Sequence, residues 1–409
     1  MNSFYKDAWR CVLIFLLMGC SFSDTKNDSE SINTDPNPPS SEIVTIKASG
    51  ANKDSLLGIP RYKIVQSSLD PKKIWLAMES DSGLDTYYSS DGGDSWNWSD
   101  SQGWERHLSI ARDGDDNIHF INRGDPGEYL RLVNKNGSLE FNPAIEIDAY
   151  TQNDQTSGNI NAVGSDVIIF TRNANDDQDA VKYYRSTNNG ESWNGPYEIF
   201  TPVRESRIGS VIIDGAIALV SWNEGSGTSG DPNTIKIYRY DNDTNGFSAD
   251  TDAIDIIWDD NMTRQYSTTQ TQDGWIHVVW VDQVQGEEKD YQIRHSYKKW
   301  RDSWPTSVTV EASYQVEMFP LLSAWGNSLF MVYIDEAKVY LKEWNFEDGW
   351  ASERLLISAQ DAKCRYVQIP QYLPADADSL PIVWLEQIGA TDDYSVNYKA
   401  IYLTERLTP

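Results

Sequence analysis

Ile276-His277-Val278-Val279-Trp280-Val281 is a short run of apolar and β-branched residues, with Asp273-Gly274 before it and Asp282 after it. A run of this length and composition, bounded by turn residues, reads as a strand covered on both faces. Six more stretches have the same character. They are Ile74–Met78 (IWLAM), Ile118–Ile121 (IHFI), Val167–Phe170 (VIIF), Ala218–Trp222 (ALVSW), Leu329–Ile334 (LFMVYI) and Pro381–Leu385 (PIVWL).

The runs recur at roughly 50-residue intervals, the period of a β-propeller blade. Their surroundings repeat as well. A shorter strand precedes each run, a third strand containing Tyr follows a loop, and a tight turn leads to a fourth strand. Helical periodicity is absent. Seven such units fit into residues 57–403. The seventh has only three strands, Tyr366–Tyr372, Pro381–Leu385 and Val396–Tyr402, while Glu42–Ala48 (EIVTIKA) stands alone before the first unit. That lone strand is expected to complete the last blade and close the ring, hiding edges that would otherwise pair with other chains. The expected fold is all-β: a single seven-bladed β-propeller of four-stranded blades over residues 42–409, the ring closed by an N-terminal strand.

The chain ahead of the repeat has a different character. Lys6 and Arg10 give residues 1–20 a basic start, and Cys11–Met18 (CVLIFLLM) is apolar. This run is too short to span a hydrocarbon core of about 30 Å, so it reads as a targeting signal. It ends in Leu17-Met18-Gly19-Cys20, which resembles a bacterial lipobox. The resemblance implies that Cys20 becomes the lipidated first residue of the mature chain; the alternative is an ordinary secretory signal. Residues 21–41 are polar and rich in Ser, Asn and Pro, the composition of a flexible tether. Processing would leave only Cys20 and Cys364, and with lipid on Cys20 no internal disulfide can form. The expected location is the bacterial cell envelope, lipid-anchored and extracytoplasmic.

Charge narrows the partners. The chain has 34 Lys+Arg against 62 Asp+Glu, a formal net charge of −28. Phosphate backbones need a basic face, so nucleic acid is excluded as a partner. Adsorption to an anionic membrane surface is disfavoured for the same reason, leaving the lipid anchor as the membrane contact. No P-loop, dinucleotide fingerprint, zinc spacing or nucleophile elbow is present, and no cofactor or catalytic metal is expected. Asp241-Asn242-Asp243 has part of a calcium loop, which leaves a structural calcium open. A monomer is expected.

Two turns between third and fourth strands share one motif. Ser89-Ser90-Asp91-Gly92-Gly93-Asp94-Ser95-Trp96 has the form S-x-D-x-G-x-S-W, and Ser186-Thr187-Asn188-Asn189-Gly190-Glu191-Ser192-Trp193 repeats it with Asn for Asp. Asp or Asn caps the turn, Gly takes a positive φ, and Trp plugs between sheets. The motif resembles the Asp-box of bacterial sialidases and related BNR-repeat propellers. Weaker turns at Asp241–Phe247, Lys299–Trp304 and Asn345–Trp350 hold the same place in later units. In that superfamily the Asp-box is structural and lies on the face away from the active site. Sialidases carry R-I-P on the first strand; here the stretch is Gly58-Ile59-Pro60, with Arg61 after the proline. Seven units exceed the six blades of sialidases and are the number in some polysaccharide lyases of the ulvan-lyase kind. The paired-His signature of those lyases would fall on His107 and near Asn122-Arg123.

In a propeller, the start of each first strand and the end of each second strand open on one face. First-strand starts give Arg61, Arg106-His107, Arg207, Arg264-Gln265-Tyr266 and Arg365-Tyr366. Guanidinium forks bind carboxylate or sulfate, so Arg106, Arg207, Arg264 and Arg365 are candidate substrate ligands. The alternative is an ion pair with Glu105, Glu205, Asp259 or Asp260. Second-strand ends give Glu79, Asp81, Glu224, Asp282, Asp335-Glu336 and Glu386, candidate acids or bases or simply solvated loop residues. His107 is the base candidate among four histidines, with Tyr266, Tyr366 and Glu224 as further catalytic candidates. His119 and His277 share a register inside second strands and read as packing residues. These groups would serve β-elimination of a uronate. Arginine would neutralise the carboxylate, His or Tyr would take the C5 proton, and Tyr would protonate the leaving oxygen. The function expected is action on an anionic polysaccharide or glycan (uronate, sulfated or sialylated) by elimination or hydrolysis. The alternative is a non-catalytic propeller that captures glycan or protein at the cell surface.

Overall fold

The computed structural model describes residues 42–403 apart from 53–54, 57–61, 81–82, 103–108, 122–126, 136–137, 149–155, 174–179, 203–205, 225–232, 257–264, 285–290, 316, 358–362 and 390. The signal segment, Cys20 and the tether lie outside the described residues. Among the described residues every named element is a strand, and no helix is long and apolar enough to cross a membrane.

Seven antiparallel sheets follow one another along the chain, a seven-bladed β-propeller. Blade 1 is Ile64–Gln66, Ile74–Ser80, Gly83–Ser89 and Asn97–Gln102. Blade 2 is Ser109–Arg112, Ile118–Ile121, Gly127–Lys135 and Ile145–Asp148, and blade 3 is Thr156–Val163, Asp166–Asn173, Val181–Ser186 and Asn194–Phe200. Blade 4 is Ser206–Ile213, Ala216–Asn223, Asn233–Asp241 and Gly246–Ala249. Blade 5 is Tyr266–Gln270, Ile276–Gln283, Tyr291–Lys298 and Val308–Ser313, and blade 6 is Leu321–Trp325, Ser328–Asp335, Lys338–Asn345 and Gly349–Trp350. Blade 7 is Cys364–Gln368, Ser379–Gln387 and Tyr394–Tyr402, and its fourth strand is Val44–Ala51, paired antiparallel to Tyr394–Tyr402. First strands of neighbouring blades touch one another from blade 1 through blade 6, so they are innermost.

The unbroken apolar runs have a simple cause. Successive strand residues point to opposite faces, and a second strand has a blade on each side. Val278 and Trp280 pack into the seam between blades 4 and 5, while Val279 and Val281 pack between blades 5 and 6. Each seam holds its own buried cluster. The seam between blades 7 and 1 is no exception: Val383, Leu385, Val396 and Tyr398 meet Ile64, Leu76 and Met78, with Val44 and Ile46 packed against them.

The two Asp-box turns are locked by their own side chains. Asp91 accepts from Ser95 N at 2.9 Å, and Asn188 accepts from Ser192 N at 3.0 Å. Ser89 and Ser186 accept from Gly93 N and Gly190 N at 2.8 and 2.9 Å. Gly93 (φ +100°) and Gly190 (φ +77°) each lie against a tyrosine of the preceding blade, Tyr398 and Tyr129, whose ring a Cβ would overlap. Those tyrosines stand edge-on to Trp96 and Trp193 at 5.2 and 4.8 Å. The same third-strand register holds Tyr183 against Phe247 (4.9 Å) and His295 against Trp350 (5.1 Å). In blades 1, 4 and 6 the register is occupied by Thr86, Ile237 and Leu341.

One first strand departs from expectation. The first strand of blade 7 ends at Gln368, and Ile369–Leu373 leaves the sheet. Pro370 carries no N–H for a ladder, which is the local reason to stop. The released segment crosses to distant blades. Gln371 Nε2 donates to Ser210 O and Thr268 O, both at 2.8 Å, its Oε1 accepts from Asn161 at 3.2 Å, and Tyr372 Oη accepts from Ile212 N at 2.6 Å. From blade 1, Tyr62 Oη reaches Ser267 Oγ at 2.7 Å and Leu322 O at 2.9 Å. Side chains thus fill much of the axis, leaving a cavity of about 130 Å³ beside Asn159, Asn161 and Ser210.

Candidate functional site

Antiparallel order puts all first-to-second and third-to-fourth turns on one face, here the turn face. The connections after second and fourth strands lie on the other, the loop face. Of the sequence candidates there, Arg61, Arg106, His107 and Arg264 lie outside the described residues, as does Cys20. Arg207, second residue of the first strand of blade 4, is exposed, and Glu224, just past the second strand of the same blade, is half-buried. Tyr266 differs from expectation. It is 1 % exposed, in the apolar seam between blades 4 and 5, and its hydroxyl is engaged by Arg207 O at 3.0 Å and Val220 O at 2.9 Å. The phenol ties two blades together and has no open surface from which to meet a substrate.

Arg365 and Tyr366 are arranged differently. Arg365 pairs with Leu385 and Val367 with the adjacent Trp384, so Tyr366 is the extra residue of a β-bulge, at φ +39°. A bulge re-aims a side chain, and a positive φ at a bulky residue persists only where its surroundings enforce it. The Tyr366 ring stands 4.8 Å from that of Phe319 on blade 6, itself at φ +45°. Phe319 N donates to Gln265 Oε1 of blade 5 at 2.6 Å. Three blades therefore fix the position of one phenol.

Arg365, Tyr366 and Phe319 line a cavity of about 140 Å³ between blades 6 and 7, together with Gln315, Glu317, Glu336 and Lys363. Among the described residues the Arg365 guanidinium has no hydrogen bond or ion pair. Glu336 accepts from Lys338 at 3.3 Å, so part of the local negative charge is already used. Cys364 also borders the cavity, but burial, with Glu386 nearby, pushes its thiol up to about 12, too high for a thiolate nucleophile near neutrality. Phe319 and Lys363 carry no motif in the sequence, and Gln265 stands there only as the residue between Arg264 and Tyr266; Lys363 and Arg365, two residues apart in so acidic a chain, were the available signal.

The other second-strand carboxylates mostly have local partners. Glu79 is bound to the fully buried Lys63 at 2.7 Å, Asp335 accepts from Ser313 at 2.5 Å, and Glu386 accepts from Asn397 at 2.9 Å. The three remaining histidines are buried away from the loop face. His119 lies between Asp113 (3.1 Å) and Tyr129 (2.8 Å). His277 Nδ1 meets His295 Nε2 at 3.1 Å, and His295 Nδ1 accepts from Trp350 Nε1 at 3.1 Å. Trp350 can only donate, so His295 carries its proton on Nε2 and donates to His277. Burial lowers all three: His277 to about 3, His295 well below the usual range, and His119 despite the opposing pull of Asp113. They are packing residues, as the shared register of His119 and His277 implied. Among the described residues no group of His, Cys, Asp or Glu is arranged to hold a metal.

No family model and no curated sequence matches the chain. Solved structures do. A PL25 ulvan lyase bound to -[GlcA(1-4)Rha3S]- is similar with a TM-score of 0.62 and 11% identity, over 87% of this chain and 95% of that chain. The polysaccharide lyase Uly1 is similar with a TM-score of 0.54 and 10% identity, over 84% and 90%. YCF48 bound to D1 peptide gives 0.51 and 11%, over 90% and 97%. At such identities the likeness establishes the fold, a whole propeller of the same build, and fold is shared by proteins of different function.

Proposed function

We propose that the protein is a lipid-anchored, extracytoplasmic propeller that acts on an anionic polysaccharide, by β-elimination at a uronate, from the loop face between blades 6 and 7. The observation that carries this reading is the pair Arg365-Tyr366: a guanidinium without a partner among the described residues, beside a phenol held in a bulge at φ +39°. The likeness to two polysaccharide lyases supports it at the level of fold.

In this reading Arg365 grips the uronate carboxylate through two N–H groups and stabilises the charge that develops when the C5–H bond breaks. His107 takes the C5 proton, and the Tyr366 hydroxyl gives its proton to the leaving oxygen. The C5 electron pair forms the C4–C5 double bond, the C4–O bond breaks, and the leaving oxygen takes up a proton. His107, Arg106, Arg207, Arg264 and Glu224 complete the set proposed for the loop face, and Tyr266 is dropped from it.

The test is a screen of the purified chain against uronate and sulfated polysaccharides, read by absorbance of unsaturated uronate and by reducing ends. Unsaturated product that disappears in Tyr366→Phe supports the reading. Reducing ends alone would make it a hydrolase, and retained binding without product a capture module. Anchoring is checked separately: Cys20→Ser should move the protein out of the membrane fraction, and a variant that stays there would refute the lipobox reading.

A further inference from the structure

The turn face carries a further cavity, of about 390 Å³, where blades 4 and 5 meet. Its size falls in the range of small-ligand pockets, about 300–1,000 Å³. It lies at the seam where Ile237 stands in the register of the interblade aromatic rings. Asp241–Phe247 and Lys299–Trp304, two of the turns that match the Asp-box only weakly, border it.

The lining chemistry is specific. Trp300 is half-buried and Arg239 lies over it, 5.9 Å from the ring centre. Arg239 is fixed by Ile213 O at 3.0 Å and Asp214 O at 3.4 Å. Arg301, exposed and at φ +69°, has no hydrogen bond or ion pair among the described residues. Asp241 accepts from Asp243 N at 2.9 Å through one oxygen, and the Asp243 carboxylate is exposed. Asn242 accepts from Arg185 at 3.1 Å, which leaves its amide N–H groups to donate. An anion would meet Asp214, Asp241 and Asp243, and a cation would meet Arg239 and Arg301, so neither charge is favoured. A neutral ring bearing adjacent hydroxyls suits both sets. Each hydroxyl donates and accepts, carboxylate and guanidinium each span a hydroxyl pair, and the C–H face of the ring packs on indole.

We infer that this cavity is a binding site for a neutral sugar unit, separate from the loop-face cleft and on the opposite side of the ring. It stands on its own lining and does not depend on the chemistry proposed for Arg365.

The test uses the full chain and neutral tetrasaccharides of gluco-, manno-, xylo- and galacto-configuration, followed by calorimetry and saturation-transfer NMR. At least one should bind. Trp300→Ala should weaken it at least 10-fold, and Arg301→Ala and Asp243→Ala, at exposed turn positions that leave the fold intact, about 3-fold or more. Arg365→Lys should leave it unchanged. The inference is overturned if no tetrasaccharide binds, if binding survives all three turn-face substitutions, or if it is lost with Arg365→Lys. Capture of acidic oligosaccharides alone through this cavity would also overturn it.

Discussion

Tyr398 and Tyr366 both belong to blade 7, and both set an aromatic ring edge-on against a neighbouring blade, but the chain uses them in opposite ways. Tyr398, on the turn-face seam with blade 1, is buried, donates to Gly92 O at 2.6 Å and fits a space that only glycine at 93 leaves open. Tyr366, on the loop face, sits in a bulge with an unfavourable φ beside an arginine without a partner among the described residues. The first arrangement satisfies its groups and adds stability. The second keeps a strained backbone at Tyr366 and, at Arg365, a guanidinium without a partner among the described residues, the pattern expected where a ligand completes the set. The contrast separates what holds the ring together from what the ring presents.

The largest effect should come from removing Val44–Ala51. That strand is the outer edge of blade 7, and Val44 and Ile46 pack against the seam with blade 1. Deletion should abolish cooperative unfolding or lower Tm by well over 10 °C, on the order of several kcal/mol, whereas deletion of residues 22–38 should not. Equal melting of the two would break the contrast at its root.

Acid should come next. Burial depresses the folded-state pKa of His119, His277 and His295, so below about 6.5 the unfolded chain binds more protons than the folded one. Stability is therefore full above that value and falls as pH drops toward about 3, where His277 titrates in the folded state. The slope should reach about 1.4 kcal/mol per pH unit for each histidine. Urea titrations at stepped pH would reveal it; stability flat between pH 7 and pH 5 would remove the histidines from the locked set.

Gly93→Ala should then cost about 2–4 kcal/mol, since a Cβ meets the Tyr398 ring and the backbone is at φ +100°. Tyr398→Phe, which keeps the ring and loses one hydrogen bond, should cost about 1 kcal/mol. Reversal of that order in denaturant midpoints would mean that the hydroxyl, and not the fit of ring on glycine, is the latch.

Much of this architecture was readable in the residues. Alternation within each second strand supplies two seams, so runs such as IHVVWV mark blades, and the Asp-box residues specify their own hydrogen bonds. The misreadings share one cause, register. Apolar alternation continues through Ile369–Tyr372, but Pro370 ends the ladder and the segment leaves the sheet for the axis. Tyr266 begins its strand as expected, yet its side chain falls on the seam side, and a step of one residue exchanges the two sides. The bulge at Tyr366 and the link from Gln265 to Phe319 depend on positive φ at residues other than glycine, which no local sequence preference announces. The histidine pair has its tautomers fixed by Trp350, a partner 55 residues away.

The central claim is that Arg365 and Tyr366 are displayed for a ligand and are not part of the frame. Kinetics of Arg365→Lys on the uronate polysaccharide that the proposed screen yields, measured beside its unfolding curve, tests this most directly. Lysine keeps the charge and loses the fork, so kcat/KM should fall by roughly 10-fold or more, about 1.4 kcal/mol, with the denaturant midpoint unchanged. An earlier midpoint with unchanged kcat/KM would contradict the claim and make Arg365 a structural residue.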